Sequence, residues 1–163
     1  MSSFGQAKDV SEALVRHVLS AVPPRLLTEI QEVRYSTDIS AGKLGSTDAK
    51  PQMEGKPTIT LYRSGIELDE RVLRDLYVEA LLHEVGHVLF ERLTTGMERM
   101  TWGGMYNKGI FAQEKRVSEI AEDSFREDMA ECFMFYHQEP GKLYDKYSER
   151  YTFIDKLYKE VSK

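Results

Sequence analysis

The residues of this chain best suited to chemistry lie in one run, His83-Glu84-Val85-Gly86-His87, inside the largely apolar stretch EALLHEVGHVLF at 79–90. The pattern is H-E-x-x-H. Each residue turns an α-helix by about 100°, so His83 and His87 stand one turn apart on nearly the same face. Two imidazoles at that spacing can reach one ion. Zinc favours nitrogen donors of this kind, and its catalytic sites keep one position for water. Glu84 projects from the adjoining edge of the face, placed to take a proton from water rather than to bind metal. Val78, Ala80, Leu81, Leu82, Val85, Val88, Leu89 and Phe90 surround these residues and predict a helix buried nearly all round. Unpaired polar groups are costly to bury, and an ion supplies the partner that His83, Glu84 and His87 need.

A catalytic zinc ion takes three protein ligands. The extended form of the motif would need glycine at 90 and histidine at 93; the chain has Phe90 and Leu93, so the third ligand must come from another element. The segment REDMAECFMFYH, 126–137, places Glu127 and Glu131 on one helix face beside the apolar Met129, Ala130, Cys132, Phe133 and Phe135. Spacing favours Glu127 as the ligand and leaves Glu131, Asp123 and His137 as alternatives. Glu131, one turn on, is placed to hydrogen-bond a ligand histidine and fix its tautomer. Ser124-x-x-Glu127 also fits a capping box, a competing use for the same carboxylate.

These residues must be held by other elements. Residues 10–21 have helical spacing with Asp9 as N-cap, and Pro24 opens a second short helix. Val33 to Tyr35 reads as a short strand and 39–56 as loop. PTITLYRS, 57–64, is the best strand, with Ile59, Leu61 and Arg63 alternating against Thr58, Thr60 and Tyr62, and it is expected at the sheet edge beside the cleft. Asp69 caps a central helix over about 70–93, with Gly96 as its stop. GMERMTWGGMYNKG, 96–109, reads as a loop, whose Met97, Met100, Trp102 and Met105 either cover the cleft or pack in the interior, followed by a weaker helix at 111–122. Ser124 opens a helix to about His137, Pro140-Gly141 breaks the chain, and an amphipathic helix closes it. The sum is α+β: one mostly helical domain over 1–163, with N-terminal helices and a small mixed sheet at about 9–64, the motif helix, and a helical part at about 110–162.

Composition narrows the function classes. With 41% hydrophobic and 30% charged residues, the 163-residue chain reads as one globular domain. A net charge of −5 and scattered Lys and Arg argue against nucleic-acid binding. No apolar run approaches a membrane span. No signal-peptide h-region is visible, which leaves localisation open: cytoplasmic as given, secreted if these residues are a trimmed mature form. A single cysteine, Cys132, excludes an internal disulfide framework.

HEVGH, then EDMAECFMFYH starting 40 positions after His87, then RYTFIDKL near the C-terminus, together resemble the anthrax lethal factor-like zinc metallopeptidases, and within them the compact Pro-Pro endopeptidases. The resemblance covers roughly residues 57–160. It implies a zincin-like fold and one Zn2+ held by His83, His87 and Glu127. It implies Glu84 as general base, Glu131 behind a ligand histidine, and a monomeric endopeptidase acting on a peptide or protein substrate. One position departs. The family places an oxyanion-stabilising tyrosine seven residues before the ligand glutamate, and here that residue is Ile120. Tyr106 is the only tyrosine between His87 and Glu127, with His137 as another possible donor. Loss of such a donor leaves a weaker enzyme, or a zinc-binding interaction domain without catalysis.

Overall fold

The structure is a computed structural model that describes Phe4 and residues 10–40, 42–111 and 116–163. The chain is α+β, mostly helical, with one three-stranded mixed sheet. Two short helices come first, α1 (Glu12–Ser20) and α2 (Pro24–Thr28). Ser11 caps α1, its hydroxyl accepting from Leu14 N at 3.1 Å. The expected cap, Asp9, lies outside the described residues. Pro24 takes the first turn of α2, where its missing N–H costs nothing.

The sheet comprises β1 (Glu32–Ser36), β2 (Gly45–Thr47) and β3 (Thr58–Tyr62), in the order β1-β3-β2. β1 pairs parallel to β3, with Val33 opposite Ile59 and Tyr35 opposite Leu61. β2 pairs antiparallel, with Gly45 opposite Leu61. The strand expected at the edge is therefore the central one, which explains the complete burial of Ile59 and Leu61. Among the described residues, the free edge beside the motif helix belongs to β2, inside the segment read as loop. Three residues with a Gly and two hydroxyls carry almost no strand signal of their own; the ladder with β3 makes them a strand.

α3 (Glu70–Val88) begins at Asp69, whose carboxylate accepts from Arg71 N at 2.9 Å. It ends in a π-helical turn, Leu89–Leu93. Gly96 is not the stop. Thr94 leaves the helix with extended backbone, its hydroxyl bonds back to Phe90 O, and its carbonyl accepts from Arg99 Nη1 at 2.6 Å. Residues 96–109 are not a loop either: they form α4 (Gly96–Phe111). Thr95 and Glu98 cap it reciprocally, Glu98 accepting from Thr95 N at 2.7 Å and Thr95 Oγ1 from Glu98 N at 3.2 Å. Trp102 and Tyr106, one turn apart, turn inward, and Trp102 packs edge-on against Phe153. Of the weak helix expected at 111–122, Phe111 ends α4, residues 116–119 are irregular, and Ile120–Glu122 form a 3-10 turn; residues 112–115 lie outside the described residues.

α5 (Phe125–Gln138) starts at Ser124, whose hydroxyl accepts from Glu127 N at 3.3 Å. Pro140 does not only break the chain: it opens α6 (Pro140–Lys146), and α7 (Ser148–Val161) closes the fold with Ile154, Leu157 and Val161 buried. The layers run sheet, α3, α5, α7. α3 and α5 cross closely because Gly86 faces Ala130. A Cβ on Gly86 would stand 2.9 Å from Ala130 Cα and 3.1 Å from its carbonyl oxygen. Among the described residues, no helix is long and apolar enough to cross a membrane.

Candidate metal centre

The crossing of α3 and α5 brings both histidines of the motif to both glutamates of the second helix. His83 Nε2 lies 3.0 Å and His87 Nε2 3.3 Å from the same oxygen, Glu127 Oε2. The two Nε2 atoms are 3.1 Å apart, and the rings meet edge to face at 85°. The potential ligand atoms of these three residues all lie within 4.8 Å of one another. Ligands at 2.0–2.1 Å from a tetrahedral ion stand about 3.3–3.4 Å apart, so the observed triangle needs almost no opening to admit one. The donor set of two imidazole nitrogens and one carboxylate oxygen matches a divalent metal site, and His83, His87 and Glu127 could hold such an ion.

Glu131 stands behind His83, with its Oε1 2.6 Å from Nδ1. A proton held on Nδ1 by that carboxylate leaves the Nε2 lone pair for a metal. His87 has no such support among the described residues: its Nδ1 is buried and without a hydrogen-bond partner. Of the two rings, His83 is thus the one whose tautomer is set. The capping question at Glu127 also resolves. Ser124 alone caps α5, and the Glu127 carboxylate turns to the histidines.

Electrostatics separates the groups. Burial lowers the His83 pKa, but the hydrogen bonds it donates to Glu127 and Glu131 outweigh that and bring the group up to about 9. Hydrogen bonds to His83 and His87 hold Glu127 well below the usual carboxylate range. Glu84 is shifted up, chiefly by burial, against the opposing charges of His87 and His83. Its side chain lies on the β2 flank of the histidines and is only 7% exposed. Glu127, with a side chain 30% exposed, gives the group its opening to solvent.

The remaining candidates go elsewhere. Tyr106 donates its hydroxyl to Glu122 O at 2.7 Å, and Arg116 lies over its ring. Ile120 is about half exposed. His137 packs among Phe133, Tyr136 and Tyr158, and burial lowers it to about 4. Asp123 is exposed at the end of the 3-10 turn. Neither His137 nor Asp123 joins the metal-capable group.

Two ion pairs that sequence reasoning missed brace α5. Arg126 meets the buried Glu91 of the π-turn at 2.5 Å, tying the start of α5 to the end of the motif helix. Arg150 of α7 meets Asp128 at 3.0 Å, with both side chains buried. Each flanks Glu127 in sequence, and the only signal was the alternation of charges in REDMAE, which equally fits a solvated helix start. In comparisons with known proteins, the chain matches no family model and no curated protein.

Proposed function

We propose that the protein is a zinc-dependent endopeptidase of the lethal factor-like, zincin-fold type, acting as a monomer on a peptide or protein substrate. The observation that carries this reading is the convergence of His83, His87 and Glu127 on one point, with Glu84 alongside and Glu131 behind. Zinc bound there would polarise a peptide carbonyl and bring the pKa of a coordinated water to about 7. Glu84 takes the proton from the attacking water and delivers it to the nitrogen of the departing amine. Its burial favours this role, because a carboxyl group with a raised pKa holds the transferred proton better than a solvated one. Glu131 keeps the His83 ring oriented through the cycle. An extended substrate adds to the free edge of β2, taking main-chain hydrogen bonds from it and running past Glu84.

A second reading has specific support: a zinc-binding interaction domain with weak or no catalysis. Ile120 stands where the family tyrosine would be, and the Tyr106 hydroxyl is already bonded to Glu122 O. Losing an oxyanion donor typically lowers turnover by about 10²–10³, which leaves a slow enzyme rather than none. Glu84 decides between the readings. Wild type and Glu84→Gln are compared for zinc content and for cleavage of a diverse peptide library. The enzyme reading expects equal zinc, with cleavage lost by about 10²–10⁴ in the variant. Equal inertness of the two proteins supports the binding-domain reading.

A further inference from the structure

We propose that Gly45 is a positioning residue for Glu84: the hydrogen at its Cα is what lets the carboxylate stand where it does, and any side chain at that position moves it. This deepens the peptidase reading and rests on it. A Cβ built on Gly45 would lie 3.0 Å from Glu84 Cγ, 3.3 Å from Glu84 Oε1 and 3.5 Å from Ala80 O. Backbone conformation does not demand glycine here. Among the described residues the glycines with positive φ are Gly42 and Gly55, and neither has any atom within 4 Å of its Cβ position. Gly45 is instead an extended, buried strand residue whose missing side chain leaves room for close approach.

The strand is held in place along its β3 side. Gly45 pairs with the fully buried Leu61, Tyr62 N donates to Leu44 O at 2.9 Å, and the Ser46 and Tyr62 hydroxyls meet at 2.9 Å. On the other side stands the main chain of α3 at Ala80. The part free to give is the Glu84 side chain. A methyl group at position 45 therefore pushes the Glu84 methylenes by a few tenths of an ångström and swings the carboxylate at their end. The three atoms nearest the added methyl belong to Glu84 and Ala80, while His83 and His87 turn to Glu127 on α5. Position 45 thus acts on proton transfer and leaves metal binding alone.

The test is Gly45→Ala, prepared alongside wild type. Zinc stoichiometry, thermal midpoint and crystal structure are measured for both, and kinetics are run on the best-cut member of a diverse peptide library. The proposal expects one zinc per chain in each, an unchanged midpoint, a displaced Glu84 carboxylate, and kcat reduced at least about tenfold at similar KM. It is overturned by a Glu84 carboxylate in the wild-type position, by kcat within about twofold of wild type, or by zinc lost together with turnover. The last would make position 45 a structural one. If wild type cuts no peptide, the peptidase reading falls, and the pair of crystal structures still decides what Gly45 does.

Discussion

Glu84 and Glu127 are carboxylates one helix apart that the fold pushes in opposite directions, one up by burial and one down by hydrogen bonds to His83 and His87. In the proposed reading, such divergence is what would let one site use chemically similar groups as base and ligand. The same contacts predict how the metal-free protein responds to pH. His83 is raised from 6.5 to about 9 on folding, so its stabilising contribution is complete below about 6.5 and disappears as pH climbs through 9. Glu127 is lowered, so its contribution is present above about 4.5 and is lost as pH falls toward its folded value. Chelator-treated protein should therefore lose thermal midpoint between about pH 6.5 and 9. A flat midpoint across that range would contradict the pairing. Glu131→Gln should keep the fold and lower zinc affinity about 10–100-fold in a competition titration, because the glutamine holds the His83 proton less firmly. At this scale the sequence was highly legible. Helical period alone put His83, Glu84 and His87 together, and period again paired Glu127 with Glu131. The illegible part was Gly45, since a glycine among polar residues looks the same in a turn and in a strand.

The elements turn these residues into a site chiefly through one crossing. Gly86, the variable fourth residue of the motif, lets α3 approach the backbone of α5 at Ala130. Gly86→Ala brings about 0.8–1 kcal/mol of helix propensity. It also drives a methyl into backbone atoms that cannot rotate away, and overpacking of that kind costs about 1–3 kcal/mol. The clash should win, lowering the denaturation midpoint and, because the helices separate, the zinc affinity as well. A variant that is more stable and binds zinc normally would show that the crossing is looser than described. By contrast, Thr95→Ala at the start of α4 should cost about 1 kcal/mol in stability and leave zinc binding intact, since that cap only holds the helix end. The second feature was in plain view as residues and still misread, while nothing in the sequence marked Gly86 as a crossing point. Thr95-x-x-Glu98 is a capping box, but Gly96, Gly103 and Gly104 around it gave the segment a loop-like composition, and burial of Trp102 and Tyr106 overrode that. β2 could not be read locally because its strand character comes from pairing with a segment more than ten residues away.

The whole molecule is a stack of sheet, α3, α5 and α7, with the histidine–glutamate group at the interface of the two middle layers. An ion held across that interface would link the sheet side of the chain to its C-terminal helices. Bound zinc would stabilise the folded state by mass action, by about 2.7 kcal/mol at free zinc one hundred times its dissociation constant. The mostly helical α+β class was legible from the two dominant patterns, the apolar motif helix and the helix at 124–137. Strand order was not, because which strand is central depends on a pairing that no local pattern encodes. The proposed function requires one divalent ion on His83, His87 and Glu127, and anomalous scattering at the zinc absorption edge from crystals of the zinc-loaded protein locates it. The predicted result is a single peak bounded by the two Nε2 atoms and a Glu127 oxygen, at about 2.0–2.2 Å from each. No peak there, or a peak held by other residues, would contradict it.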